Sequence, residues 1–215
     1  MQIRIQHHPM RKRHLKLLLY ALQPNQEAIE IVEDDHSSAS GMKKVFESAT
    51  DDLLVLQDDI LPCADFIETA KKIIEIQPDH VISFFSTRNA MNLDTRWFVS
   101  DRIYGMQAYY IPYHLHHSYL DFEEHIHPHV TVDDVRLSVF LDVLKEPVYI
   151  VSPNLVEHLC WDRSTASNES INRDNFLNRI SGKYIGYENS GLAINWAFTK
   201  PHEIRYDGVL SRHLL

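Results

Sequence analysis

Apolar and polar residues follow two alternating patterns along the chain, which predict strands and helices in turn. The run Leu53–Leu56 is apolar at every position, as is typical of a strand buried on both faces of a parallel sheet. From Met10 to Leu22, leucines recur at helical spacing on one face while basic residues occupy the others, which predicts an amphipathic helix. Strands that alternate with helices of about 10–15 residues predict an α/β sheet with crossover connections.

The same patterns predict the remaining elements. Pro9 should end the first strand, because proline has no N–H to donate to a sheet. The segment 160–179 is polar and lacks periodicity, so we expect a loop there. We expect further strands at Ile3–Gln6, Ala28–Val32, Val81–Phe85, Tyr104–Ile111, Val148–Val151 and Leu192–Phe198, and further helices at Gly41–Ser48, Asp65–Ile76 and Val135–Leu144.

Composition narrows the function classes. The 215 residues, 44% of them hydrophobic, suffice for one domain with its own core. The net charge of -9 argues against a general nucleic-acid coat or a polybasic membrane binder. With two cysteines the chain has no disulfide framework, and it lacks the glycine-rich dinucleotide and P-loop signatures. No apolar segment is long enough to span a membrane and no hydrophobic leader is seen, so we expect a cytoplasmic protein, in the host cytoplasm if it is viral.

The most informative polar residues are Asp58 and Asp59, which directly follow the apolar run Leu53–Leu56 and Gln57. Ligands of open α/β sheets bind at the carboxyl ends of strands. Two carboxylates there repel each other unless a cation lies beside them, and Mg²⁺ or Mn²⁺ would also bind phosphate oxygens. A solvated acidic turn is the alternative, since Asp51-Asp52 and other acid pairs show how common this pattern is here.

The segment Leu53–Pro62 resembles the D-x-D-type metal-binding segment of small bacterial and bacteriophage GT-A-fold glycosyltransferases, which carry a V-L-Q-D-D-x-L-P-C core. Weaker similarities occur in the same order along the chain, at His7–Arg11, Tyr104–Pro112, Asp133–Leu137 and Pro153–His158. The resemblance covers residues 1–165 and implies a GT-A-like catalytic domain with a Rossmann-type mixed sheet flanked by helices. Residues 166–215 would form a C-terminal loop and tail, on the acceptor side or packed against the core.

The resemblance also implies roles for individual residues. Asp59 would bind Mn²⁺ or Mg²⁺ directly, His158 would be a second metal ligand, and Asp58 would face the ribose or sugar of a nucleotide-sugar donor, with a UDP-sugar favoured. Asp134, with Asp133 in reserve, would be the general base of an inverting enzyme, although either acid could instead stabilise the start of the helix that follows. Further donor contacts would come from His8 and from Arg136, which could instead hold the catalytic carboxylate. From their positions after the first two strands, Arg11 could help to bind the phosphates and Asp34 could contact the base or ribose. The alternatives are a solvated helix face for Arg11 and a surface turn for Asp34.

The acceptor is less defined. Phage members of the resembling group modify hydroxymethylated pyrimidines in DNA, so a DNA base is weakly favoured over a glycan, lipid or protein hydroxyl. A different class of function, a zinc hydrolase or metal-binding protein, is suggested by the six histidines between His114 and His129. Three of them alternate in His125-Ile126-His127-Pro128-His129, but Pro128 argues against a strand there. A non-catalytic module that binds nucleotide sugars is a third possibility.

Overall fold

The secondary structure is that of an α/β protein. The structure, a computed structural model, describes residues 1–23, 28–33, 37–86, 97–126, 130, 132–159, 184–194, 196 and 202–204. The strands are β1 (Gln2–His7), β2 (Ile29–Glu33), β3 (Leu53–Gln57), β4 (Ile60–Pro62), β5 (Val81–Ser83), β6 (Trp97–Ser100), β7 (Ala108–Ile111), β8 (Val148–Val151), β9 (Val156–His158) and β10 (His202–Ile204). The α-helices are α1 (Lys12–Leu22), α2 (Ser38–Glu47), α3 (Phe66–Ile74), α4 (His116–Glu123) and α5 (Asp133–Leu144).

Eight of these strands form one mixed sheet in the order β10-β6-β8-β5-β7-β3-β1-β2. Strand β1 lies parallel to both β2 and β3, whereas β7 runs antiparallel to β3 and β5. Strands β4 and β9 form a separate antiparallel pair in which Ile60 lies opposite His158. The chain therefore leaves β1 for β2 on one side and returns to β3 on the other, which makes the carboxyl ends of β1 and β3 a topological switch point.

Two apolar cores cover the two faces of the sheet. Leu54 and Leu56 of β3 pack with α1 and α3, while Leu53 and Val55 pack with α2, α4 and α5. All four side chains are fully buried, because a central strand in a sheet flanked by helices has no face in contact with water. The predicted fold class, a Rossmann-like mixed α/β sheet flanked by helices in a single domain, is confirmed. The narrower GT-A likeness stays a prediction.

Three of the predicted strands differ from the structure by more than one residue at an end or in type. The strand predicted at Val81–Phe85 ends at Ser83. Of Tyr104–Ile111, only Ala108–Ile111 is a strand, because Gly105 adopts a positive φ of 91° that an extended strand does not allow. At the start of the predicted strand Leu192–Phe198, the chain instead forms a 3-10 helix at Gly191–Ala193, and residues 195, 197 and 198 lie outside the described residues. Asp65 causes this turn by accepting hydrogen bonds from the Ser190 hydroxyl and from the Gly191 N–H. Residues 197–200 and the predicted loop at 160–179 lie outside the described residues.

The described part of the tail packs against the core. Tyr184, Ile185 and Ile194 contact the apolar cluster beneath α1 and α3, and Trp196 is buried in it. The Trp196 indole N–H donates to the Gly191 carbonyl at 2.9 Å. A role for the rest of residues 166–215 on the acceptor side stays a prediction.

A buried arginine joins β1 to α2. Arg4 is 1% exposed, and its guanidinium donates to the carbonyls of Val45 and Ser48 at the end of α2 and, at 2.8 Å, to the carboxylate of Glu30. The last carbonyls of a helix have no partner within the helix, so a cation there satisfies them and also interacts favourably with the helix dipole.

Replacing Arg4 with methionine should lower the free energy of unfolding by about 2 to 3 kcal/mol, because it leaves buried helix carbonyls without donors. Urea denaturation followed by circular dichroism measures the change. Glu30→Gln is the matched control, and it should cost at most about 1 kcal/mol because the Glu30 side chain is half-exposed. Equal midpoints for Arg4→Met and the wild type would contradict this role of Arg4.

Candidate functional site at the switch point

The predicted acids lie at the carboxyl ends of β1 and β3. His7 ends β1 and Gln57 ends β3, so the residues that follow both strands meet at the switch point. The Asp58 N–H donates to the Gln6 carbonyl at 3.1 Å, which continues the β1–β3 pairing into the turn. This is the position at which open α/β sheets bind ligands.

Both oxygens of Asp58 are engaged by the chain itself. One oxygen, Oδ2, lies 2.7 Å from Nδ1 of His7 and accepts the His8 N–H at 2.9 Å, while Oδ1 accepts from Arg11 at 3.1 Å. Asp58 is 1% exposed. Its carboxylate therefore orients His7 and Arg11, and the direct donor contact that the resemblance implies stays a prediction.

Asp59 is bonded through only one of its oxygens. Oδ2 lies 3.1 Å from Nε2 of His158 and 2.5 Å from a terminal guanidinium nitrogen of Arg11. Oδ1 is buried and has no hydrogen-bond partner in the described part of the chain. The β4–β9 pairing brings His158 here, because it sets Ile60, the residue after Asp59, opposite His158. The Leu159 N–H also donates to the Asp59 carbonyl at 2.7 Å.

Asp59 is held as a carboxylate despite its burial. Burial alone would raise the pKa of Asp59, but the hydrogen bond and positive charge of His158, with the charges of Arg11 and His14, bring it below its ordinary value. The site thus presents a charged oxygen, Oδ1, that lacks a donor. The charge of Asp59 is paired with Arg11 through Oδ2, whereas Oδ1 is a buried acceptor without a donor among the described residues, and a ligand at this position would relieve the cost of burying it.

The spacing of Asp59 and His158 suits two ligands of one Mn²⁺ or Mg²⁺ ion. A carboxylate oxygen and an imidazole nitrogen 3.1 Å apart match neighbouring ligands on one ion, which lie roughly 3 Å apart when each bond is about 2.1 Å. No group of three or more His, Cys, Asp or Glu side chains in the described ranges could hold a metal. Asp59 and His158 therefore supply two of the ligands that such an ion would need, and phosphate oxygens and water are suitable for its other positions.

A second pair of acidic residues lies at the start of α5, near the end of β3. Asp133 and Asp134 form the first turn of α5, and Oδ1 of Asp133 accepts the Asp134 N–H at 2.9 Å. The Gln57 side-chain amide donates to Oδ2 of Asp133 at 3.1 Å, and Gln107 donates to Gln57 at 3.3 Å. The alternative that these acids stabilise the start of the helix thus holds in part, because Asp133 accepts an N–H of the first turn. The hydrogen bond to the end of β3 is made by Asp133 and not by Asp134.

The two acids differ in their environment. Burial, followed by the negative charge of Asp134 and a smaller effect of Asp59, raises the pKa of Asp133 to about 7. Burial also raises the pKa of Asp134, although the amides of Val135 and Gly105 oppose this by hydrogen bonding to its carboxylate. Asp133 would change its charge near neutral pH, which suits a general base.

Three further predicted residues lie elsewhere or cannot be placed. Arg136 pairs with Glu123 of α4 and donates to the Val130 carbonyl, so it holds the segment before α5 and does not contact Asp133 or Asp134 in a fork. Its role as a phosphate ligand stays a prediction. His8 lies beside the site. Its backbone N–H donates to Asp58, while its ring accepts the N–H of Met10, two residues along the chain. Asp34 lies outside the described residues.

Sequence reasoning missed His7 and Gln57. Both could have been found from the alternation of side chains in a strand. His7 shares a face of β1 with the buried Ile3 and Ile5, and Gln57 shares a face of β3 with the buried Leu53 and Val55. Each is the polar end of an apolar stripe at the carboxyl end of its strand.

The histidine-rich segment does not form a metal site in its described part. His116 is buried in α4 with Nε2 3.3 Å from the Ile111 carbonyl, and His114 and His117 are exposed. His125 lies after α4 and contacts the Asp121 carbonyl. His127 and His129 lie outside the described residues, so the predicted zinc site stays untested.

Comparisons with known proteins leave the function open. No protein-family model and no curated protein matches the chain. Among 56 matching chains of solved structures is one titled "Crystal Structure of A197 from STIV", with 16% sequence identity and a TM-score of 0.48, over 77% of this chain and 87% of that chain. Among the described helices, none has the length and apolar character needed to cross a bilayer.

The raised pKa of Asp133 predicts a pH-dependent stability. A carboxyl group with a folded pKa of about 7 and an ordinary unfolded value near 4 stabilises the fold at low pH and loses that contribution as pH rises to 7. Between pH 5 and pH 8, this loss in the free energy of unfolding is on the order of 2 kcal/mol. Asp133→Asn should remove it, as measured by urea denaturation at both pH values, whereas Asp142→Asn should not. The same loss in Asp133→Asn as in the wild type would contradict the assignment.

Proposed function

We propose that this protein is a metal-dependent glycosyltransferase that moves a sugar from a nucleotide-sugar donor to an acceptor hydroxyl. The observation that carries the proposal is the meeting of Asp59 and His158. These residues are 99 positions apart in the chain, the sequence resemblance implies that they share a metal, and their side chains lie 3.1 Å apart at the switch point. The unpartnered, buried Oδ1 of Asp59 supports a cation at this position.

The donor would bind through its diphosphate. When bound, a divalent ion supplies positive charge to the diphosphate leaving group. Arg11 contributes a second positive charge, since its guanidinium contacts both carboxylates of the pair. Before ligands bind, Asp58 orients Arg11 and His7 through both of its oxygens. The chain's own residues would thereby bind and orient the donor and stabilise the charge that develops as the sugar leaves.

The acceptor would be activated by Asp133. Its carboxylate takes the proton of the acceptor hydroxyl while that oxygen bonds to the anomeric carbon and the bond to the diphosphate breaks, with inversion at that carbon. Two observations favour Asp133 over Asp134 as the base: its hydrogen bond to Gln57 at the end of β3, and its pKa of about 7. Gln57 serves as a positioning residue for this carboxylate.

The finer identity of the substrates rests on the resemblance alone. It favours UDP as the nucleotide and a hydroxymethylated pyrimidine in phage DNA as the acceptor, with a glycan, lipid or protein hydroxyl as the alternative. Nucleotide sugars are cytoplasmic metabolites, so we expect the reaction to take place in the cytoplasm. The basic residues that could contact DNA, among them Arg163, Arg173 and Arg179, lie outside the described residues.

Metal-dependent nucleotide binding should require Asp59. With Mn²⁺ present and UDP at a hundredfold excess over its dissociation constant, the wild type should gain about 2.7 kcal/mol of stability, or roughly 5 to 10 °C in melting temperature. Asp59→Asn should abolish the rise, because a neutral amide is a poor ligand for a hard cation. Differential scanning fluorimetry measures the shift. Asp51→Asn, which removes an exposed acid, should keep it, and an unchanged shift in Asp59→Asn would rule out the metal assignment.

Catalysis should depend on Asp133 more than on Asp134. For a UDP-sugar that the wild type hydrolyses slowly with water as acceptor, Asp133→Asn should lower the rate of UDP release about 10²- to 10⁴-fold. Affinity for UDP and Mn²⁺ should stay within about twofold, because the hydrogen bonds of Asp133 go to Gln57 and to its own helix. UDP release is followed in a coupled assay. A larger loss for Asp134→Asn would move the role of base to that residue, and an equal loss of donor binding would make Asp133 structural.

A further inference from the structure

Arg11 contacts the Asp59 oxygen that faces His158, which is the oxygen that a metal ion shared by Asp59 and His158 would bind. One of its terminal nitrogens lies 2.5 Å from Oδ2 of Asp59 and 3.1 Å from Oδ1 of Asp58, and its side chain is 14% exposed. His158 contacts the same oxygen of Asp59 at 3.1 Å. The cation that offsets the acid pair in this structure is therefore part of the chain.

This cation cannot be removed by deprotonation. An arginine side chain stays charged at every pH at which proteins fold, so Arg11 and a divalent ion compete for Asp59 under all such conditions. If both stayed in place, positive charges would lie a few ångströms apart in a largely buried site, where their repulsion is strong. A metal ion can bind well only when Arg11 has another anionic partner.

Arg11 can leave without exposing an unpaired charge. Asp58 keeps its contacts with Nδ1 of His7 at 2.7 Å and with the His8 N–H at 2.9 Å, both through Oδ2. Asp59 would exchange the guanidinium for the metal and would also gain a ligand bond at Oδ1, which has no partner in the described residues. A diphosphate offers Arg11 several charged oxygens in the forked geometry that a guanidinium prefers.

We propose that Arg11 is an exchangeable counter-ion that makes the binding of the metal and of a diphosphate mutually dependent. In the absence of ligands it pairs with Asp58 and Asp59, and it moves to the phosphates when metal and diphosphate enter together. The inference rests on the proposed function. It deepens that function by naming the residue that couples the binding of the metal to the binding of the diphosphate.

The test measures Mn²⁺ binding to the full chain by electron paramagnetic resonance of the free ion, with and without UDP. In the wild type, Mn²⁺ alone should bind weakly and UDP should tighten it. In the absence of UDP, Arg11→Gln should bind Mn²⁺ about tenfold more tightly than the wild type does. The factor by which UDP increases the affinity for Mn²⁺ should be about tenfold smaller in this variant than in the wild type. Some coupling should remain, because the phosphates still bind the metal directly. Uridine, which has no phosphate, should leave the affinity for Mn²⁺ unchanged in the wild type and in Arg11→Gln.

Arg13→Gln is the matched control. It removes the same charge from an exposed position two residues away, and it should behave as the wild type does. Arg11→Met, which keeps much of the apolar stem, is the second variant if Arg11→Gln does not fold, as judged by circular dichroism.

The outcomes separate this inference from the proposed function. If Mn²⁺ and UDP bind together to the wild type, but neither Arg11 variant changes the affinity for Mn²⁺ alone or the coupling, the counter-ion role is overturned and the glycosyltransferase proposal stands. An equal effect of Arg13→Gln would also overturn it, because general charge would then explain the result. If no protein shows Mn²⁺-dependent UDP binding, the proposed function fails and the inference fails with it.

Discussion

The site depends on the burial of two adjacent carboxylates at the end of a strand that has no solvent-facing side. Asp58 and Asp59 are 1% and 4% exposed. Charged groups are tolerated at such burial only when they are paired and hydrogen-bonded. The partners come from three separate parts of the chain: the end of β1, the turn before α1, and β9. The need to neutralise these acids thus explains why those segments meet where they do.

The two acids meet this need in different ways. Asp58 has both oxygens engaged by His7, His8 and Arg11, so its carboxylate stabilises the arrangement of the site. Asp59 shares one oxygen between Arg11 and His158 and leaves the other without a partner in the described residues. Adjacent residues of the same type therefore differ in their contacts: one acid is fully hydrogen-bonded to its neighbours, and the other keeps one oxygen without a partner in the described residues.

Local patterns predicted most of the fold. The β3 run is apolar at every position because both faces are covered, and Val148–Val151 has the predicted bounds because its ends are marked by a turn and a proline. Strands β4 and β9 were missed because each has three residues, too few to show a period, and because they pair across nearly a hundred positions. The helical His116–Glu123 segment was missed since its polar residues surround the helix and leave no clear apolar stripe.

The candidate site was predicted in part. The position of Asp58 and Asp59 follows from the strand that precedes them, whereas His158 was found only through the resemblance, because no local pattern marks it. The sequence alone does not distinguish Asp133 from Asp134, since the difference arises from the contact of Asp133 with Gln57, which comes from another part of the chain. Nor does the sequence show that Arg11 contacts both acids, because Arg11, Lys12 and Arg13 are equally basic.

The proposed function requires Asp59 and His158 to hold a divalent cation against a diphosphate. A crystal grown with Mn²⁺ and UDP, with diffraction measured at the manganese absorption edge, tests it most directly. We expect an anomalous peak about 2.1 Å from a carboxylate oxygen of Asp59 and from Nε2 of His158. A structure in which UDP is bound while Asp59 remains paired with Arg11, with no manganese beside it, would show that Asp59 and His158 do not hold the metal.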